Sequence, residues 1–472
     1  MLSSRNHWCS QTAMHSNLPV HLAVLLSFLV DARTQCMSGV TVMRTSGIRG
    51  AVLAKPSHSF SKMQAIIQLA WAKFLVTMPR EANSFRIQSR GRIQHLRART
   101  GFTAQRFSIS LRYRGGVSMK RQKVHVKILK CETMQWVGFM HSPKKTFTQP
   151  WFLAVGFRKP HLPFVCPDEF YNLYNSHDTR LASNPYAPQD MPPIAYSSTE
   201  VESYEDIQTL GYEGAINETL DEAKAKELVR GYRACVSYLD HNVGVLLSEL
   251  KTLGQWNNTI IVFWADHGWK LGEHGAWAKE TNFHLDTHAP MMLRVPGLTD
   301  GGIVSDALVE HVDVMASLLG AAGFDPPPIC PENQPWLTTY CTEGHSFLNL
   351  AWSPDATWKN ASYSQFDRAG VRNSSTGLEV ENLGQKSHKI LYMGYSMSTS
   401  TKLRFTAWVD FDETSLATDF SMDGEYCGFE LYNHSTDPDE NRNLAYRRGY
   451  ETLVQELFMQ LKLGWRSTGA LL

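Results

Sequence analysis

The sequence predicts an α/β protein with a mainly parallel sheet flanked by helices, followed by a smaller α+β subdomain. Short, largely apolar runs at 151–156, 259–263 and 291–295 are typical of strands buried on both faces. A long amphipathic stretch lies between the first two runs and opens with a capping-box pattern at 219–222. Strand, helix and strand in this order indicate parallel strands joined by a right-handed crossover.

The C-terminal part of the chain has a different pattern. After about residue 351, polar and apolar residues alternate between turn-forming segments. Antiparallel strands are predicted at 390–395, 403–409 and 429–432, with a final helix near 450–463. The chain is therefore divided into three parts, at 1–146, 147–350 and 351–472.

Charge is distributed unevenly, although the formal net charge is only +1. Residues 1–146 contain 23 Lys and Arg against three acidic residues, whereas the remainder contains 23 basic and 42 acidic residues. Such asymmetry can mark a nucleic-acid-binding arm or a transit peptide. The segment has no recognisable nucleic-acid-binding module or aromatic platform, and its helix and strand signals are poor. We expect this anomalous basic segment to be not natively folded, either disordered or mistranslated, and we expect no nucleic-acid partner.

Cysteine and asparagine patterns favour the secretory pathway. Cys330 and Cys341 bound a short Pro-rich loop, and their spacing fits a local disulfide. Glycosylation sequons, for which chance occurrence is the alternative, begin at Asn217, Asn257, Asn360, Asn373 and Asn433. No segment is a convincing membrane span. The apolar run 18–30 is too short to cross a bilayer and lacks the basic start and cleavage site of a clear signal peptide.

Polar residues directly follow the first two predicted strands. The run 158–161 ends in His161, and Asp266 and His267 follow the second strand. Because ligands bind beyond the carboxyl ends of parallel strands, we expect these side chains to converge. A carboxylate and an imidazole are candidate metal ligands. Taken alone, the pair also fits an ordinary surface loop.

Two further residues suggest that an anion binds at this edge of the sheet. Lys279 ends a polar, glycine-rich loop and suits a sulfate or phosphate group, although a solvated surface charge is the alternative. His161 lies between Pro160 and Pro163, which we expect to hold the backbone extended. A histidine fixed in this way can act as a general acid or donate a hydrogen bond to an anion. A structural histidine in a Pro-rich turn is the alternative.

Several spaced motifs together resemble the sulfatase family, in particular the type that acts on iduronate 2-O-sulfate. They are, in order, FLAVGFRKPHLPF, ACVSYLDHNVGVLLSEL, TIIVFWADHGWKLGEHGAWAK and THAPMMLRVPG. The runs SMST and FTAW and the 330–341 loop resemble the family's C-terminal subdomain. The resemblance implies an alkaline-phosphatase/sulfatase-like fold. It also implies a sulfuric ester hydrolase that removes 2-O-sulfate from iduronate in dermatan or heparan sulfate.

The resemblance also implies cofactors, residue roles and a location. The family uses a calcium ion, and a formylglycine made from cysteine by the formylglycine-generating enzyme. Asp266 and His267 match the family's later metal-site pair, and Lys279 and His161 match sulfate-contacting positions. His161 is also a candidate proton donor to the leaving alcohol. A glycosaminoglycan substrate and a lysosomal or extracellular location follow, with 147–350 as the C-terminal part of the catalytic domain and 351–472 as its subdomain.

The family's early Asp-Asp metal pair and its Cys-x-Pro-Ser-Arg nucleophile motif are absent from the sequence. We therefore expect the polypeptide as written to be inactive. One hypothesis is that residues up to at least Gln88 are a frame-shifted translation of the missing catalytic region. Residues 7–31 can then encode a sequence containing A-C-P-P-S-R, with the cysteine across the codons of Pro19 and Val20. The alternatives are a non-catalytic sulfatase-like glycan-binding protein and a phosphodiesterase or phosphatase of the same superfold.

Overall fold

The computed structural model describes residues 21–27, 96–97, 103–110, 123–130, 151–175, 177–197, 200–331, 341–369, 371–373, 377–379, 390–420 and 428–466. The strands of its larger sheet are β1 (His21–Ser27), β2 (Leu96–Arg97), β3 (Thr103–Ser110), β4 (Lys123–Lys130), β5 (Phe152–Gly156), β6 (Thr259–Ala265) and β7 (Met291–Arg294). They lie in the order β2-β3-β4-β5-β1-β6-β7.

The sheet is mixed, and its parallel part is limited to β5, β1 and β6. Strand β1 pairs in parallel with both neighbours, so that Leu22 lies opposite Phe152 on one side and Ile260 on the other. The predicted parallel relation of β5 and β6 is therefore confirmed. The third predicted strand, β7, is antiparallel to β6. No long crossover helix connects β6 to β7. The chain therefore enters β7 at the end of the sheet where β6 finishes, and β7 runs antiparallel to β6.

The helices are α1 (Asp168–Tyr171), α2 (Glu205–Gln208), α3 (Glu222–Thr252), α4 (His284–Thr287), α5 (Asp313–Ala321), α6 (Asn349–Trp352) and α7 (Glu451–Leu463). Single 3-10 turns occur at Pro193–Ala195, Val201–Ser203, Trp256–Asn258 and Glu273–Gly275. The predicted long helix is α3. Its cap is Asp221, whose side chain accepts a hydrogen bond from the Lys224 N–H at 3.0 Å, two residues beyond the expected capping position. Within the described residues, no helix is both long and apolar enough to cross a bilayer.

Helices cover both faces of the sheet around β5 and β6. Helix α3 places Leu239 and Leu250 in one apolar cluster with residues of β5 and β6. Helix α5 places Leu318 and Leu319 in a second cluster on other residues of the same strands. Because side chains on both faces of these strands are buried, their sequences are continuously apolar rather than alternating.

Four of the strands lie in the basic segment 1–146, for which the sequence analysis expects no native fold. The described residues of this segment are those of β1, β2, β3 and β4, and the expectation stays a prediction. Strand β1 lies between β5 and β6 and pairs with both of them. An apolar sequence is compatible with this central position in the sheet. The rest of the segment lies outside the described residues, and the three-part division of the chain remains a prediction.

The C-terminal part is an antiparallel sheet with a helix packed against it, as predicted. Its strands are β8 (Ala361–Ala369), β11 (Ile390–Thr399), β12 (Leu403–Asp412), β13 (Ala417–Asp419) and β14 (Gly428–Asn433), beside a small hairpin of β9 (Val371–Asn373) and β10 (Gly377–Glu379). Strand β12 pairs with β11, β13 and β14. Helix α7 buries Val454, Leu457, Phe458 and Leu461 in the core of this sheet.

A buried cluster of charges lies beside this core. Arg404 is fully buried; its Nε donates to Glu440 Oε1 at 2.5 Å, and a second nitrogen lies 3.4 Å from Glu430 Oε1. Burial alone would raise the pKa of Glu440. The charge of Arg404 and hydrogen bonds from His434, Arg404 and the His284 N–H outweigh burial and lower that pKa to about 2.

We expect Arg404→Met to destabilise the protein by about 3–5 kcal/mol, because it leaves two buried carboxylates without their cation. Denaturant unfolding of the full chain measures this change. Lys226→Met is the matched control, since Lys226 forms an i,i+4 pair with Glu222 on an exposed helix face. We expect it to change stability by about 0.5 kcal/mol or less. Equal effects of the two substitutions would contradict the prediction.

Candidate active site

The candidate site is built on the loops that follow β5 and β6. Because both strands run parallel to β1, their carboxyl ends lie at the same edge of the sheet. The run 158–161 forms a turn in which the His161 N–H donates to Arg158 O at 3.0 Å. The Lys159–Pro160 and Leu162–Pro163 peptide bonds are both cis. The hydrogen-bonded turn at 158–161 shows that the expectation of an extended backbone is wrong, while the role of His161 stays a prediction.

His161, His267 and Lys279 converge around Trp269, as the strand-end argument predicts. The rings of His161 and Trp269 are 6.3 Å apart between centroids, and Lys279 Nζ lies 5.1 Å from the Trp269 ring centroid. Burial, together with the nearby charge of Lys279, lowers the pKa of His267 to about 4. Burial is also the main cause that lowers the pKa of His161. Both imidazoles are therefore neutral near pH 7.

Lys279 is buried and paired with an acid that the sequence analysis did not identify. Its side chain is 3% exposed, which rules out a solvated surface charge, and its ammonium donates to Glu200 Oε1. Glu202 lies close by, and burial, with the charges of Glu200 and Glu280, raises its pKa to about 7. Glu200 lies 79 residues from Lys279 in the chain, so no local sequence pattern could have indicated the pair.

The loop carrying Asp266 and His267 is held by a second buried ion pair. Lys270 is fully buried, and its Nζ donates to Asp286 Oδ2 at 2.5 Å and to Thr281 Oγ1 at 2.9 Å. Asp286 Oδ2 also accepts a hydrogen bond from the Thr281 N–H at 3.1 Å. The Gly268 N–H donates to the backbone carbonyl of Asp286 at 2.7 Å. These contacts fix the chain immediately after the candidate metal ligands.

Gly268 allows the chain to approach α4 closely. A Cβ atom at this position would lie 1.7 Å from the carbonyl oxygen of Leu285, a separation that no side chain can accept. Sequence position alone, directly after Asp266 and His267, indicates only a tight turn for this glycine. A glycine is required at this position because the backbone of Leu285, 17 residues further along the chain, packs directly against it.

Asp266 and His267 supply two of the groups that a calcium ion would need. The His267 N–H donates to Asp266 Oδ1 at 3.1 Å, and His267 Nε2 lies 3.7 Å from Asp266 Oδ2. A neutral imidazole and a carboxylate suit a metal ion, but calcium takes six to eight ligands, mostly oxygens. Among the described residues, no group of three or more His, Cys, Asp or Glu side chains forms a metal site. The described residues therefore fit calcium only in part.

The residues of this chain do not fit the second implied group. Formylglycine requires a cysteine in the motif Cys-x-Pro-Ser-Arg, and none of the eight cysteines has Pro two residues later. The sequence of this polypeptide is therefore incompatible with a formylglycine in that motif.

The predicted disulfide is present, and four of the predicted glycosylation asparagines can be placed. Cys330 and Cys341 are bonded, with Cα atoms 4.8 Å apart. Asn217 and Asn257 are exposed, whereas Asn360 and Asn433 are partly buried. Asn373 belongs to β9, and its side chain lies outside the described residues. Glycosylation itself remains a prediction.

The fold and the candidate site define an α/β protein with polar side chains beyond the carboxyl ends of parallel strands. Residues 96–324 match the family model described as Sulfatase, so the chain carries a sulfatase-family domain. It is 35% identical over 338 residues to iduronate 2-sulfatase of Mus musculus, covering 64% of this chain and 58% of that protein. The identity to the Homo sapiens iduronate 2-sulfatase is also 35%, over 335 residues, 64% of this chain and 59% of that protein.

The chain therefore spans somewhat more than half the length of these relatives. Among solved structures it is similar to the phosphonate monoester hydrolase of Agrobacterium radiobacter. That similarity has a TM-score of 0.49 and 20% identity, and it covers 69% of this chain and 57% of that one.

We expect Gly268→Ala to destabilise the full chain by about 1–3 kcal/mol or more, because the added methyl group forces the loop away from α4. Thermal unfolding measures the loss. Gly244→Ala is the control, since Gly244 is in the interior of α3 with no atom within 4 Å of an added Cβ. We expect the control to stabilise by about 0.5–1 kcal/mol. A Gly268→Ala variant as stable as the parent would contradict the close approach.

Proposed function

We propose that this chain belongs to the sulfatases that remove 2-O-sulfate from iduronate in dermatan or heparan sulfate. We further propose that the 472-residue polypeptide keeps the sulfate-binding part of the site without turnover. The convergence of His161, His267 and Lys279 at the carboxyl ends of β5 and β6 is the observation that carries the proposal. The similarity to two iduronate 2-sulfatases supports this choice of substrate.

Lys279 is the proposed anchor for the sulfate group. Its ammonium is almost fully buried, where a charge-assisted hydrogen bond is stronger than in water. The Glu200 carboxylate forms an ion pair with the Lys279 ammonium in the described structure. A sulfate oxygen would therefore have to replace the Glu200 carboxylate. The Nδ1–H of neutral His161 donates to the Leu162 carbonyl at 2.7 Å, so its Nε2 carries no proton to donate to the ester. It becomes a proton donor only if the negative charge of the bound sulfate raises its pKa.

The proposed absence of turnover follows from the sequence. The nucleophile for sulfate transfer in this family is a formylglycine made from the cysteine of the Cys-x-Pro-Ser-Arg motif. This chain does not contain that motif. The Cys330–Cys341 disulfide and the predicted sequons support the secretory pathway. We accordingly propose a lysosomal or extracellular location, a sulfated glycosaminoglycan ligand, and modification by the formylglycine-generating enzyme only for an intact gene product.

We expect the full chain to bind a 2-O-sulfated iduronate disaccharide in calorimetry and to release no sulfate from it or from an aryl sulfate. Lys279→Met should weaken binding by about 10- to 100-fold, the value of a charge-assisted hydrogen bond. Glu200→Gln should instead tighten binding, because it removes the competing carboxylate. Lys251→Met is the control, since that lysine lies over Trp256 at the C-terminal end of α3.

Three results would contradict this proposal. Equal affinity for the desulfated disaccharide would show that Lys279 does not hold sulfate. A change of the same sign in the Lys279 and Glu200 variants would show that they act through folding. Measurable hydrolysis by the 472-residue chain would refute the absence of turnover.

A non-catalytic glycan-binding protein is the alternative function, favoured by a buried cation in a chain without the nucleophile motif. It predicts calcium-independent binding to heparan sulfate and a transcript without a frame shift. The two proposals therefore differ at the level of the nucleotide sequence.

Under the frame-shift hypothesis, we expect the nucleotides that encode residues 19–24 to spell Cys-x-Pro-Ser-Arg when read in the shifted frame. Each shifted codon takes the third base of one codon and the first two bases of the next. Sequencing the transcript across the first 150 codons tests this directly. Nucleotides that cannot encode the motif in that frame would end the hypothesis and leave the binding protein as the better proposal.

A further inference from the structure

Two unbonded cysteines face one another between the loop after β5 and helix α3. Cys166 is partly exposed in that loop, and Cys235 is fully buried on the helix. The two thiols are neighbours, and the interaction between them is the main influence on the pKa of each. They belong neither to the Cys330–Cys341 disulfide nor to the candidate active site.

Contacts on both sides of the cysteines hold the two segments together. The Phe164 and Tyr232 rings pack edge to face at 5.5 Å, and a Cβ at Gly231 would lie 3.0 Å from the Cβ of Phe164. Further along, the hydroxyl groups of Tyr174 and Ser237 are 2.7 Å apart. The neighbouring residues therefore set the approach of loop and helix, which does not depend on the thiols.

We propose that Cys166 and Cys235 form a second disulfide, which fastens the loop that carries His161 to α3. Cys166 lies five residues after His161, so the bond would limit the movement of this loop relative to the helix. It would close a segment 69 residues long, which the contacts named above already bring together.

The exposure of the two thiols sets the order of the reaction. The hydrogen bond from Cys235 and the positive charge of Lys159 lower the pKa of Cys166 despite its burial, which favours the thiolate. Cys166 then attacks a disulfide donor, either glutathione disulfide or a protein thiol–disulfide oxidoreductase, and forms a mixed disulfide while one donor thiolate leaves. Cys235 loses its proton and attacks the Cys166 sulfur, which releases the second donor thiol. The two cysteines thus lose two protons and two electrons, and the donor disulfide is reduced to two thiols.

The test is a thiol map of the full-length chain after equilibration with oxidised and reduced glutathione. The protein is unfolded in the presence of an alkylating agent, digested without reductant and analysed by mass spectrometry. We expect a peptide pair that links Cys166 to Cys235, with neither cysteine alkylated. The Cys330–Cys341 pair provides the internal control for oxidation.

Alkylation of both Cys166 and Cys235 at equilibrium would overturn the proposal, whatever the state of Cys330 and Cys341. A bond from either residue to any other cysteine would also overturn it. The thiol map uses the parent protein, so its result does not depend on whether a variant folds.

Two variants provide a second measurement. Cys235→Ser should leave Cys166 alkylated and lower the melting temperature of the oxidised protein by about 5 °C, the order expected for a loop of this length in a chain of this size. Cys166→Ser should lower it by a similar amount, and a reductant should remove most of the difference between parent and variants. A melting temperature that is the same in the oxidised parent and in both variants would contradict the bond.

Discussion

The buried carboxylate of Asp286 is the constraint on which the candidate site depends. Lys270 and Thr281 both bond to it, so it closes the loop between β6 and α4 upon itself. A buried pair of this kind adds little net stability, because desolvation opposes the attraction of the charges. Its effect is to exclude other conformations of the loop, since an unpaired charge in this place would be far more costly. Asp266 and His267 are positioned as a result.

The same loop also joins the two sheets. Asn282 Nδ2 donates to the backbone carbonyl of Gly394 in β11 at 2.9 Å, and its Oδ1 accepts from Ser364 in β8 at 3.0 Å. The His284 N–H donates to Glu440, the partner of Arg404. The candidate site therefore depends on the C-terminal subdomain, although that subdomain contributes neither candidate metal ligands nor candidate sulfate-contacting residues. A change in the Arg404 cluster is expected to reach α4 through these bonds.

Sequence reasoning identified the parts of the fold that local patterns determine. Continuous apolar runs indicated β5 and β6, periodicity indicated α3, and the rule that ligands lie beyond parallel strand ends placed His161 near His267. The Glu200–Lys279 and Cys166–Cys235 pairs are separated by 79 and 69 residues, and no residue near either partner signals the other. The direction of β7 depends on its connection to β6, which apolar runs do not encode.

The buried ionisable groups around the site respond to acid with opposite signs. The pKa of Glu202 is raised to about 7, so its folded form holds the proton more tightly, and its unfavourable contribution grows as pH rises from about 4.5. Burial lowers the pKa of His284 to about 4, so its unfavourable contribution grows as pH falls below about 6.5. Between these limits the two effects oppose each other, while Glu440 stays ionised. His267, whose pKa is also lowered to about 4, acts in the same direction as His284, so the histidines together outweigh Glu202 and this part of the fold loses stability as pH falls below about 6.5.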